Sequence, residues 1–251
     1  MAGQHFLRSS RLAAELVRGA GVEPGDLVVD VGAGTGVLTQ ALADAGARVV
    51  ALELDGALAA GLRRRFAARG VEVLEVDARE WAWPESSFKV VANLPFAGSG
   101  SILSSLLGDP RIRLRRLDAI LQWEAAVKHA AVWPATLKST HWGAWHELAV
   151  TARISRSAFS PPPAVDAGVL RAVRRARALV SPAEHRGYVR FVGDGFRAQR
   201  PLRAALRAHL SPRELKRLAP VLGFAPDALP RDLGPAQWAA LFAFARTRGR
   251  T

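Results

Sequence analysis

A chain of 251 residues with 49% hydrophobic and 23% charged side chains can build a packed core, which excludes wholesale disorder. It has no cysteine, so disulfide scaffolds, zinc–thiolate sites, iron–sulfur clusters and thiol catalysis are excluded. Its net charge of +13 is uneven: residues 1–170 carry +1, and residues 171–251 carry +12 from 17 basic and 5 acidic side chains.

The opening MAGQHFLRSS lacks an apolar signal core, and no apolar run approaches the ~20 residues of a membrane span. A cytoplasmic protein is expected. Taken in order, residues 11–20 read as an amphipathic helix behind the capping candidates Ser9 and Ser10, and 27–31 as a buried strand. Helix is expected over 37–45, strand over 48–52, helix over 56–68 and strand over 71–76. Strand follows over 88–92, helix over 101–107 and strand over 117–121. Two later strands, 148–154 and 167–173, flank a proline-rich loop. This alternation predicts an α/β fold with a doubly wound parallel sheet. Beyond 177 strand signals stop. Helices are predicted over 182–196, 201–210, 212–219 and 235–246, each with proline at its start. The expected division is therefore residues 1–177, a catalytic α/β domain, and residues 178–251, a small all-helical domain.

Asp30-Val31-Gly32-Ala33-Gly34-Thr35-Gly36 joins a strand to a helix. Glycines there let the backbone turn tightly and approach a ligand. A dinucleotide fingerprint would need a small residue where Val37 stands, and a phosphate-binding Walker loop would need Gly-Lys-Ser/Thr. Glu53, at the end of the next strand and followed by Leu54, suits a pair of ribose hydroxyls. The ligand chemistry is that of a nucleoside without pyrophosphate, which S-adenosylmethionine satisfies. Asp77, after the third strand, could accept from an adenine amino group or simply cap a loop.

Asn93-Leu94-Pro95-Phe96 follows the fourth strand, where open α/β sheets place their ligand crevice. An exocyclic amine on a planar base is a poor nucleophile because its lone pair is delocalised. The Asn93 side-chain oxygen and the Leu94 carbonyl could hold both amino hydrogens and free that lone pair. Pro95 restricts Leu94 to extended conformations, and Phe96 offers a stacking face for an extruded base. An ordinary strand-to-loop turn is the competing reading. No metal-ligand spacing links His129, His141, His185 and His209.

The ordered set Gln4-His5-Phe6-Leu7, DVGAGTG, ALELD, Asp77-Ala78, NLPF and FSPPPAVD (159–166) resembles the ribosomal RNA adenine N6-methyltransferases over nearly the whole chain. Within them it looks most like the erythromycin-resistance (Erm) branch acting on 23S rRNA, with the small-subunit adenine dimethyltransferases as sister branch. The stretch Trp142-Gly143-Ala144-Trp145-His146-Glu147, similar to an aromatic-rich Erm segment, is the main reason for that choice. The resemblance implies a Rossmann-like methyltransferase fold and S-adenosylmethionine as cofactor. Gln4 and His5 would meet its methionine end, Gly32, Gly34 and Gly36 its centre, Glu53 its ribose, and Asp77 and Ala78 its adenine, with Leu7, Leu54 and Asn93 also counted among the cofactor-binding residues. Asn93, Leu94, Pro95 and Phe96 would carry the chemistry, with Phe96 and Phe159 flanking the flipped adenine. Two departures stand out: only three residues precede Gln4, so the basic arm of many members is absent, and Gln122-Trp123-Glu124 replaces the usual Gln-Lys-Glu.

The expected partner is 23S rRNA, bound by a monomer without metal or membrane. Arg200, Arg203 and Arg207, at i, i+3 and i+7, would share one helix face toward phosphates, joined by Arg197. Arg111 and Arg113 belong to a second cluster with Arg115 and Arg116. A solvated face is the alternative for both.

Overall fold

The computed structural model describes residues 5–131, 134–197 and 200–249. The chain divides into two compact units: residues 1–127 with 149–174, and residues 128–148 with 175–251.

In the first unit, β1 (Phe6–Leu7) and α1 (Ser10–Gly19) precede the alternating core: β2 (Leu27–Val31), α2 (Val37–Asp44), β3 (Arg48–Glu53), α3 (Gly56–Phe66), β4 (Glu72–Glu75), β5 (Phe88–Asn93), α4 (Ser99–Leu107) and β6 (Leu114–Gln122). After α5 (Trp123–Ala130) and α6 (Leu137–Gly143) come β7 (His146–Ile154), β8 (Phe159–Ser160) and β9 (Ala167–Arg174). Seven strands form one sheet in the order β4-β3-β2-β5-β6-β9-β7. The pairs β2–β3, β2–β5, β3–β4 and β5–β6 are parallel. Runs such as Val28-Val29 and Val90-Val91 are buried, as strands covered on both faces require. The sheet is mixed rather than wholly parallel, because β9 runs antiparallel to β6. That register sets Asp118 opposite Arg171. Arg171 donates to Asp118 at 2.9 Å and Arg116 at 2.6 Å, and both guanidiniums also reach the Gly19 carbonyl at the end of α1. Two cations thus cover one buried carboxylate and a helix C-terminus.

A separate two-stranded ribbon pairs β1 antiparallel with β8, Phe6 opposite Ser160 and Leu7 opposite Phe159. Two-residue strands carry too little periodicity to be read from sequence. Likewise α5 follows β6 with no intervening loop and α6 is only seven residues long, so neither was expected.

The second unit holds α6, α7 (His185–Arg197), α8 (Leu202–Ala205), α9 (Pro212–Leu222) and α10 (Pro235–Thr247). Its core joins Trp145, Tyr188, Phe191, Trp238 and Phe242 through edge-to-face rings. The Trp145 indole N–H donates to the Val180 carbonyl at 2.9 Å and the Trp238 indole to Pro230 at 3.2 Å. The division differs from the expected boundary at 177: residues 128–148 belong with the helices, and Trp145 is part of their core. The helix expected over 201–210 is also shorter. It ends at Ala205, residues 206–209 form turns, and Ser211 caps α9 at Pro212. Arg200, Arg203 and Arg207 are exposed, but only Arg203 is helical, so the three do not form a row on one helix.

Asp30, on β2, is buried and accepts the Thr39 hydroxyl of α2 at 2.7 Å. Burial raises its carboxyl to about 7, and the nearby Glu53 charge adds to the rise. Gly36 caps α2 at φ 80°, and a Cβ there would lie 2.7 Å from Leu62 Cδ2 and 2.9 Å from Phe66 Cε2.

Two outcomes are expected. Above its ordinary value an unfolded Asp30 loses its proton while the folded one keeps it up to about pH 7. Stability therefore falls as pH rises through that window. Asp30→Asn removes this slope and gains roughly 1–3 kcal/mol at pH 8 by urea unfolding; equal slopes for both proteins would contradict the assignment. Gly36→Ala should cost about 2–3 kcal/mol in the same measurement, through positive φ and the crowding against α3.

Candidate functional site

The glycine loop is folded back over the end of β3. Gly32 and Ala33 both donate to the Leu52 carbonyl, at 2.8 and 3.1 Å. The buried Glu53 carboxylate accepts the Gly34 N–H at 2.7 Å with one oxygen and the Asp55 N–H at 3.0 Å with the other. Two backbone donors fix its plane and leave lone pairs for further partners. Gly34 sits at φ 55°, and a Cβ there would lie 2.8 Å from the Phe6 ring. The loop and β1 therefore pack together only because that residue has no side chain.

Asp77 follows β4. Its carboxylate accepts the Arg79 backbone N–H at 2.9 Å and is clasped by the Arg79 guanidinium. Those bonds hold its pKa down at about 2. Beside it Ala78 is buried, whereas Leu54 is 65% exposed, an apolar side chain left open within a cleft.

Asn93 ends β5. Its side-chain N–H donates to the His5 carbonyl at 2.8 Å, while its Oδ1 is buried with no partner among the described residues. A buried acceptor of that kind calls for a donor from outside the chain. The Leu94 N–H is tied to the Ile120 carbonyl at 3.2 Å, and the Leu94 side chain is buried. The His5 ring nitrogen Nδ1 lies 2.8 Å from the Pro161 carbonyl, just past the cis Ser160–Pro161 bond. The His5 ring is 5.3 Å from that of Phe96, and Phe96 meets Phe159 edge-on at 6.5 Å.

These segments enclose one cleft of about 270 Å³. The predicted residues His5, Gly32, Gly34, Glu53, Leu54, Asp77, Ala78, Asn93, Leu94, Pro95 and Phe96 all line it. Leu7, Gly36 and Phe159 do not. Leu7 and Phe159 are buried in the β1–β8 ribbon, because facing apolar side chains there pack inward, and Gly36 faces α3. Phe159 is buried and meets Phe96 edge-on at 6.5 Å. Gln4 lies outside the described residues. Sequence reasoning missed Phe6, Arg79 and Pro161. Arg79 had a usable signal, since its Asp-x-Arg spacing favours a local carboxylate–guanidinium pair.

The acceptors Glu53 and Asp77, the exposed Leu54 and the unpartnered Asn93 oxygen fit a nucleoside bearing hydroxyl and amino donors. Away from the cleft, Arg111 pairs with Asp109 and Arg197 with Asp194, while Arg113 is exposed. Trp142 and Trp145 are buried, His141 and His185 stack beside Trp145, and His209 bonds to Asp194. Among the described residues no group of three His, Asp or Glu is gathered as metal ligands would be, and no helix is long and apolar enough to cross a membrane.

Comparison with known proteins agrees with this geometry. The chain is 33% identical to the mycinamicin-resistance protein MyrB of Micromonospora griseorubida, over 98% of this chain and 79% of that one. It is 32% identical to ribosomal RNA small subunit methyltransferase A of Thermosynechococcus vestitus, over 95% and 93%. The crystal structure of the 23S rRNA methyltransferase ErmE superposes with a TM-score of 0.84 at 25% identity, covering 96% of this chain and 99% of that one. Residues 1–246 match the ribosomal RNA adenine dimethylase family, and the chain belongs to that family, the enzymes that methylate adenine in ribosomal RNA.

Proposed function

We propose that this protein transfers a methyl group from S-adenosylmethionine to N6 of one adenine of 23S rRNA, acting in the cytoplasm as a monomer, and thereby confers macrolide-type resistance. The observation that carries the catalytic part is the Asn93 Oδ1, a buried acceptor with no donor among the described residues, in the cleft that Phe96 also lines. The likeness to the 23S rRNA methyltransferase ErmE supports the choice of 23S, and that to the mycinamicin-resistance protein MyrB supports the resistance role.

In this reading Glu53 accepts the ribose hydroxyls, Asp77 the adenine amino group, and Leu54 and Ala78 pack on the adenine ring. Gly32 and Gly34 keep the loop low enough for the cofactor to lie across it, with His5 near its methionine end. Bound there, S-adenosylmethionine supplies an electrophilic methyl group on a sulfonium. Asn93 Oδ1 and the Leu94 carbonyl accept the two hydrogens of the target amino group, leaving its lone pair free for attack. Pro95 holds Leu94 extended, and Phe96 stacks on the everted base with Phe159 edge-on against it. Positioning and local dipoles supply the rate enhancement. The basic side chains Arg111, Arg113, Arg197, Arg200, Arg203 and Arg207 contact phosphates, so RNA affinity falls steeply with salt.

The likeness to the small-subunit enzyme favours 16S rRNA as the second reading. Primer extension on both rRNAs from cells expressing the protein separates the two. A stop confined to 23S, with raised erythromycin tolerance, is expected; modification confined to 16S would overturn the 23S assignment. Asn93→Ala should lower methyl transfer by about a hundredfold or more. Its calorimetric affinity for S-adenosylhomocysteine should stay within about threefold, since Asn93 acts on the acceptor amine. Parallel loss of both would remove Asn93 from that role.

A further inference from the structure

We propose that Arg79 is a positioning residue for the cofactor: by clasping Asp77 it fixes that carboxylate as a reader of the adenine amino group, so that a 6-amino purine is chosen over a 6-oxo purine. The proposal rests on the function put forward above. An unrestrained aspartate is a poor reader, because its side chain turns among staggered positions. A protonated carboxyl also donates as well as accepts, and would tolerate either purine.

The contacts of Asp77 remove both freedoms. The Arg79 Nε lies 2.9 Å from each carboxylate oxygen, Nη2 donates to Oδ2, and the Arg79 backbone N–H reaches Oδ1 at 2.9 Å. A carboxylate offers about four acceptor positions. The guanidinium fork takes one on each oxygen and the backbone N–H a second on Oδ1, which leaves a position on Oδ2. The turn carrying the pair is closed by its backbone, since the Asp77 carbonyl accepts the Glu80 and Trp81 N–H groups at 3.0 and 3.1 Å. The hydrogen bonds from Arg79 hold the Asp77 carboxyl at about 2, so it is ionised and can only accept. Asp77 and Arg79 both line the cleft, together with Leu54 and Ala78.

A 6-amino purine brings an N–H to the remaining position. A 6-oxo purine brings a carbonyl oxygen, which a carboxylate repels and cannot satisfy; sites built around one hydrogen bond reject such analogues strongly. The pair does little for the fold. The Arg79 side chain is 57% exposed and that of Asp77 18%, and an ion pair this open adds little stability. Its loss therefore shows in ligand recognition and not in the melt.

The test is calorimetry with S-adenosylhomocysteine and with S-inosylhomocysteine, its 6-oxo counterpart. The proteins are the full chain, Arg79→Ala, Arg79→Lys and Asp77→Asn, each with a thermal melt and steady-state methyl transfer to 23S rRNA. The wild-type protein should prefer the adenosyl ligand by about thirtyfold or more. Arg79→Ala should bind S-adenosylhomocysteine about tenfold more weakly and raise the KM for S-adenosylmethionine to match, with kcat within about twofold and the melt unmoved. Its preference for the adenosyl ligand should fall below about threefold. Arg79→Lys, a point charge without the fork, should lie between the two. Asp77→Asn, whose amide can donate, should shift preference toward the inosyl ligand. An Arg79→Ala protein that keeps the wild-type KM and preference, or that weakens both ligands equally, overturns the role of Arg79 and leaves the proposed function standing. A wild-type protein that binds neither ligand and methylates no rRNA adenine overturns the proposed function itself.

Discussion

The hydrogen bond from the Asn93 amide to the His5 carbonyl settles which way the Asn93 side chain faces. With its nitrogen engaged, the oxygen must point the other way, into a region where the described residues offer it no donor. That bond depends in turn on β1, two residues long, which pairs with β8, packs the Phe6 ring against Gly34 and buries Leu7 in the core. The acceptor proposed for the substrate amine is therefore aimed by a contact between residues 88 positions apart in the chain. Preorganisation of this kind places an acceptor before substrate arrives, so little reorganisation is left for the reaction step.

The cofactor side obeys a similar rule. Glu53 and Asp77 are both carboxylates, yet their surroundings differ. Glu53 is buried and steadied by two neutral backbone donors, whereas Asp77 is neutralised by a guanidinium two residues on. Asp30, a third carboxylate nearby, keeps its proton to about pH 7 in a dry setting. Keeping Asp30 uncharged spares Glu53 a like charge across the glycine loop.

Much of this was legible in the sequence where local pattern dictates structure. The valine runs of β2 and β5, the glycines at the turn into α2, Glu53 at the end of β3 and Asn93 at the end of β5 all landed where their spacing put them. The first seven residues and the FSPPP stretch were legible only as motifs, since their meaning lies in mutual pairing across most of the first unit. The arginine positions misled because an i, i+3, i+7 spacing is informative only if the helix persists, and α8 ends at Ala205, before Arg207. Trp142 and Trp145 read as a branch-specific aromatic signature; burial makes them core, which carries no information about the RNA.

The interrupted path of the second unit also bears on how the protein can be cut and built. Its core needs Trp145, from the middle of the chain, together with Phe242, near the end. A fragment beginning at 178 would lack a large indole from its centre, and a Trp-sized void costs about 3–5 kcal/mol, a large share of a small domain's stability. During synthesis the 128–148 segment must wait, its aromatics uncovered, until the last helix has left the ribosome. Swapping the C-terminal portion between relatives would therefore succeed only if the earlier insert travelled with it.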